Sequence, residues 1–126
     1  MDDRLTSIVI GGKEYPLMLN VYATKKIIEK YGGLTEVGEK MKDASYAEQL
    51  ESVLWLLTTL INAGIMYCNY KTGEKNPSIT QELVESLSVP SDFTDYRDAV
   101  FTAMNKGAER HVRSEEDIDS KNAVTA

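Results

Sequence analysis

The feature that most restricts the fold is an apolar stripe in the middle of the chain. Leu50, Val53, Leu54, Leu57, Leu60, Ile61, Gly64, Ile65 and Cys68 recur at helical spacing, and Trp55 and Leu56 widen the band. Residues three and four apart share one face of an α-helix, and a face this broad belongs to a central core helix with protein packed around it. Directly ahead of the stripe, Ser45-Tyr46-Ala47-Glu48 has the spacing of a capping box, in which the serine oxygen and the glutamate satisfy each other's free amides. The longest helix is therefore expected to start at Ser45. It is expected to fray from Asn69 to Gly73, and 71–77, made of turn formers with no apolar residue, reads as an exposed loop.

The flanking segments supply what this helix packs against. Residues 5–10 are rich in β-branched side chains and run into Gly11-Gly12, after which Tyr15, Leu17 and Leu19 alternate weakly. That pattern predicts a β-hairpin over about 5–19 with a glycine turn. Pro16 lacks an amide proton, so the second strand must be an edge there or start beyond it. A lone hairpin is marginal in water and must lie on helices.

Asn20 is placed to cap a helix over Val21 to Tyr31 with Ile27, Ile28 and Tyr31 inward, stopped by Gly32-Gly33. A short surface helix follows over Leu34 to Met41, with Leu34, Val37 and Met41 at helical spacing. Ser78-Ile79-Thr80-Gln81 reads as a second capping box, opening a helix with Leu83, Val84 and Leu87 inward and ended by Val89-Pro90. Ser91 is expected to cap a last helix lined by Phe93, Tyr96, Val100 and Met104 and fading after Lys106-Gly107. The expected fold is mainly α: a short N-terminal β-hairpin packed on a bundle of about five helices with one long central helix. Residues 1–113 read as a single domain, a length that suits one core. The stretch 114–126 has one large aliphatic residue, Ile118, and reads as a disordered acidic tail.

Charge and cysteine usage narrow the function classes. Fourteen basic against twenty acidic side chains give −6, which opposes the phosphate contacts that dominate nucleic-acid affinity. Glu115, Glu116, Asp117 and Asp119 against Lys121 leave −3 in the tail alone, so half of that charge is local. One cysteine and one histidine make neither an internal disulfide nor a zinc site, and the reducing cytoplasm is the natural compartment. No secretory signal opens the chain. No stretch approaches the ~20 consecutive apolar residues that span a bilayer.

Each candidate for chemistry has a plainer explanation. Gly11-Gly12-Lys13 lacks the spacing of a phosphate loop and suits a hairpin turn. His111 sits at a helix end, where the dipole favours a cation. Cys68 lies on the apolar stripe with no basic flank to activate it. Asp92, Asp95 and Asp98 recur every third residue, yet Asp92 suits a helix start and the other two a solvated face. An EF-hand would need a central glycine and a closing glutamate, which are missing. No catalytic, cofactor-binding or metal-ligating residue is expected, and no cofactor, so the chain reads as a non-enzymatic interaction protein. The more suggestive set is aromatic: Tyr46, Tyr67, Tyr70 and Tyr96 are the candidate partner-binding residues, since polar-tipped aromatics favour protein-covered surfaces. The competing reading is that they close the edges of the core.

The order of these segments resembles the tail assembly chaperones of long-tailed bacteriophages and prophages. Ile8-Val9-Ile10-Gly11-Gly12-Lys13-Glu14-Tyr15-Pro16-Leu17 is similar to that family's opening hairpin, and Ala23 to Gly33 to its glycine-stopped helix. Leu56 to Gly64 is similar to the central helix, and Ile79-Thr80-Gln81-Glu82-Leu83-Val84 to a threonine-capped helix after a variable loop. The resemblance covers about residues 5–108 and is structural, with no chemical motif in it. It implies a protein of the bacterial cytoplasm, absent from the mature virion. Its expected partners are the tape-measure protein, whose apolar helices it shields during tail assembly, and the tail tube protein, with self-association into a homo-oligomer favoured by a long client. In that family a longer frameshifted product often exists, and the flexible end 114–126 is compatible with its junction. Neither nucleic acid nor membrane is an expected partner. The alternative is a small acidic phage or mobile-element inhibitor of a host protein, acting through carboxylates. The confinement of the acidic cluster to the tail favours the chaperone.

Overall fold

A computed structural model describes residues 4–108. Strands β1 (Thr6–Ile10) and β2 (Lys13–Leu17) precede helices α1 (Val21–Tyr31), α2 (Leu34–Lys42), α3 (Tyr46–Thr72) and α4 (Gln81–Leu87). A 3-10 turn at Pro90–Asp92 leads into α5 over 93–108. The architecture is the expected one: a two-stranded antiparallel hairpin on a helical bundle whose long member is α3. Residues 109–126, which include His111 and the expected acidic tail, lie outside the described residues.

Local chemistry fixes most boundaries. Gly11 and Gly12 have φ of 58° and 82°, the left-handed pair that a two-residue hairpin turn requires. Ile10 therefore forms the closing hydrogen-bonded pair with Lys13, and bonded and unbonded pairs alternate from there. Pro16 faces Ser7 at an unbonded position, so its missing N–H points away from β1 and costs the hairpin nothing. Asn20 accepts from the Ala23 amide at 2.9 Å and starts α1, and Gly32, at φ 97°, ends it. Ser45 accepts from Glu48 N at 3.2 Å while Glu48 Oε1 accepts from Ser45 N at 2.8 Å, closing the expected capping box.

That box holds the Glu48 carboxyl below its ordinary range, through the bond from the Ser45 amide first and its hydroxyl second. A carboxyl lowered by folding contributes stability above its unfolded pKa, and the contribution is lost as pH falls through the folded value. Ser45→Ala should lower stability at neutral pH by about 1 kcal/mol. Because it removes one of the two Glu48 bonds, it should also flatten the acid limb of stability below about pH 4.5, as read by urea unfolding across pH.

One buried cluster extends from Ile10, Tyr15 and Leu17 of the hairpin through Ile27, Val37, Leu56, Leu57, Leu60 and Ile61 to Val84, Val100 and Met104. β2 is seated on α3 by a main-chain bond from Met18 N to Leu60 O at 3.1 Å. The approach is so close that a Cβ on Gly64 would lie 2.8 Å from both C and O of Pro16. Leu60 thus serves a strand and a helix at once, and α3 stands where a third strand would lie. α5 crosses β2's end equally closely, with Gly107 against Leu19.

Several expectations need correction. In α1 the inward residues are Ala23, Ile27 and Tyr31, whereas Ile28 is 47% exposed, because packing against α2 and α3 sets the helix's roll angle. α3 stays helical through Thr72 before Gly73 ends it, rather than fraying from Asn69. α4 is capped by Thr80, which accepts from Leu83 N at 3.1 Å, and not by Ser78. Ile79 is held extended by the Asn62 side chain, so no helix can begin before it. Only Val84 of α4 is buried, and Leu83 and Leu87 are partly exposed. Ser91 caps nothing: the Asp92 carboxylate accepts the Val89 amide at 2.8 Å and starts the turn into α5. Finally, α3 is long and apolar enough to cross a membrane, but 56% of that stretch is buried within the fold, as befits a core helix.

Candidate functional site

The four tyrosines do not form one surface. Tyr46 and Tyr70 lie on α3 24 positions apart, which at ~1.5 Å per residue separates them by roughly 36 Å. Tyr70 is 87% exposed and Tyr46 57% exposed, the latter packed edge-on against Phe93. Tyr67 is half-buried under Arg4, whose guanidinium donates to its hydroxyl at 3.0 Å and lies 5.3 Å from its ring centre. Tyr96 is a core residue, 5% exposed and hydrogen-bonded to Ser88. Burial pushes its phenol pKa up, the Ser88 bond opposes this, and Asp92 and Asp95 add to the rise. Of the four, Tyr46 and Tyr70 are exposed, Tyr67 is half-buried and Tyr96 is buried.

A groove of about 610 Å³ that no sequence pattern marks lies beside the hairpin. Its floor is Ile65 and Cys68 of α3, one wall is the hairpin at residues 5–7 and 13–16, and the other is 76–79 with Leu83. The second wall is built by two asparagines. Asn62 donates to Ile79 O at 2.9 Å and accepts from Ile79 N at 2.8 Å. Two turns further along α3, Asn69 donates to Asn76 O at 2.9 Å and accepts from Asn76 N at 3.1 Å. Each side-chain amide thus bonds both main-chain groups of one loop residue, as a neighbouring strand would. The exposed loop expected at 71–77 begins only at Gly73, after α3 ends at Thr72, and from Asn76 onward it is pinned along α3. The signal available in sequence was an asparagine pair seven apart on a helix, which spacing alone does not connect to any loop.

A second hollow of about 320 Å³ lies where α3 meets the α4–α5 junction, between Leu50, Leu54, Val89 and Phe93. Elsewhere Tyr31 packs edge-on with Trp55 at 5.9 Å, and Lys30 lies 5.1 Å from the Trp55 ring centre. Burial raises the Tyr31 phenol pKa, opposed by the Ser52 hydroxyl and assisted by Glu51.

Among the described residues no group of three or more His, Cys, Asp or Glu side chains is placed to hold a metal ion. Asp92 is spent on the Val89 amide, and Asp98 is an exposed neighbour of Arg97 at 3.6 Å. Gly11-Gly12-Lys13 is the hairpin turn, with Lys13 over the Tyr15 ring. What the groove offers is apolar surface framed by strand and loop main chain. No protein-family model, curated protein or solved structure matches the chain.

Proposed function

We propose that this chain is a non-enzymatic tail assembly chaperone of the kind found in long-tailed bacteriophages and prophages, working in the bacterial cytoplasm on the tape-measure protein. The observation that carries the reading is the groove, whose apolar contribution comes from Leu5, Ile65, Cys68, Ile79 and Leu83. A chaperone for a long helical client needs apolar surface that accepts many side-chain sequences, and solubility while that surface is empty. A groove framed by strand and loop main chain, on a chain of net charge −6, meets both needs. The order of hairpin, glycine-stopped helix, long core helix and threonine-capped helix supports the same reading.

The test is capture of the tape-measure protein encoded beside this chain, co-expressed with the full-length protein. Leu83→Lys places a charge on the partly exposed groove wall and should weaken capture at least about tenfold, the cost of burying a charge unpaired. Lys25→Glu, on the exposed face of α1, should leave capture intact. No binding by the unaltered chain would overturn the reading, and equal binding by Leu83→Lys would overturn the groove as the site.

A further inference from the structure

Helix α1 turns an apolar and basic face to solvent. Val21, Lys25 and Ile28 follow at steps of four and three and so share one stripe, with Val21 76% and Ile28 47% exposed. Lys26 is exposed on the next flank, over the Tyr22 ring. Lys25, Lys26 and Lys30 against Glu29 make α1 the one described helix or strand with a net positive charge. No described carboxylate lies within ion-pair distance of Lys25 or Lys26. Such a face suits a segment that sets carboxylates around an aliphatic side chain.

The chain carries that segment and delivers it to α1. Glu115, Glu116, Asp117 and Asp119 enclose Ile118. The described residues end at Ala108, directly after Gly107, whose backbone lies against Leu19, two positions before Val21. Glu115 is seven residues beyond Ala108. Seven residues cover about 10 Å as helix and about 23 Å extended, and Val21 to Ile28 is about 10 Å of helix, so the carboxylates reach Lys25 and Lys26 in either conformation. A tethered segment meets α1 at an effective concentration of about millimolar order, so a weak contact still forms and the same segment of other copies, when more dilute, competes poorly. The other described helices and strands are neutral or negative, and α4, with Glu82 and Glu85 and no base, repels these acids.

We propose that residues 109–119 fold back along α1 of the same chain, with the carboxylates of 115–119 over Lys25 and Lys26 and Ile118 covering Ile28. The contact covers apolar surface that the helical bundle leaves bare and neutralises its one basic element. It joins exposed charges, so salt weakens it. No α1 residue lines the groove beside the hairpin. The docked segment therefore leaves the groove open, and the inference stands apart from the chaperone reading.

The test attaches a nitroxide at Ser120→Cys in the isotope-labelled full chain carrying Cys68→Ser, and reads the intensities of amide signals by NMR. Signals of 21–30 should fall at least about twofold, because a tethered contact is populated much of the time, while those of α4 keep their intensity. Raising salt from about 0.1 M to about 1 M shortens the screening length from about 10 Å to about 3 Å and should restore the α1 signals. Lys25→Glu with Lys26→Glu should also restore them. Adding Glu115→Lys and Glu116→Lys to that double variant should bring the broadening back, which a merely structural effect of the lysines would not. Unbroadened α1 signals with both lysines intact would overturn the proposal. Broadening that survives reversal of both lysines, or a charge swap that fails to rescue it, would do the same. Mixing nitroxide-bearing chain free of isotope with labelled chain free of nitroxide separates the sources. Broadening of α1 in that mixture would assign the face to another copy's segment and overturn the contact within one chain.

Discussion

Gly64→Ala is expected to destabilise the protein by about 2 kcal/mol or more, whereas Gly38→Ala should stabilise it by about 0.5–1 kcal/mol. Both glycines lie inside helices, and on helix propensity alone both substitutions are favourable. The difference is what the added methyl meets. At Gly38 nothing lies within 4 Å, so only the lower entropy of the unfolded alanine chain is felt. At Gly64 the methyl would sit 2.8 Å from the main-chain carbonyl of Pro16. That group cannot rotate aside, since the next amide but one, Met18 N, is bonded to Leu60 on the same helix. To admit the methyl the hairpin must lift from α3, lengthening the Met18–Leu60 bond and opening the contacts of the fully buried Leu17. Urea unfolding followed by helix circular dichroism reads both signs. Equal effects at the two sites would show that β2 does not lie against α3.

The second large effect is expected at Asn62→Ala, about 2–3 kcal/mol. The substitution leaves both main-chain groups of Ile79 without their partner in a partly buried position, and an unpaired buried polar group costs about 1–3 kcal/mol. Asn69→Ala removes the same two bonds from an exposed segment, where water replaces them, and should cost less than about 1 kcal/mol. Thermal melts of the two variants compare them directly. Limited proteolysis should cut 76–80 faster in the Asn62 variant, because the loop is then released from α3.

Signals confined to a few neighbouring residues were legible in the sequence. Ser45 with Glu48, Asn20 with Ala23, and Gly11 with Gly12 each satisfy their own main chain within three positions, and each sits where its spacing places it. Errors arise where a distant residue decides. Ser78 has the spacing of a cap as good as that of Ser45, but Asn62, seventeen residues before Ile79, takes the Ile79 main chain and moves the helix start to Thr80. Ile28 is apolar and next to the buried face, yet the small Ala23 goes inside, because roll angle is set by what the helix lies on. The candidate site was least legible. Tyrosine was chosen by residue type, which does not distinguish the buried Tyr96 from the exposed Tyr70. The groove joins 5–7, 13–16, Ile65 with Cys68, and 76–79 with Leu83, and no periodicity relates four such segments.

The bond from Met18 to Leu60 bears on cooperativity. A two-stranded hairpin by itself occupies only a shallow free-energy minimum, and in many proteins such a unit opens ahead of the rest. Here the exit of β2 shares an acceptor with the middle of the most buried helix, so local opening of the hairpin requires α3 to give up a contact at its centre. The N-terminal strands are thereby enrolled in the global transition, although they are the least self-sufficient part of the molecule.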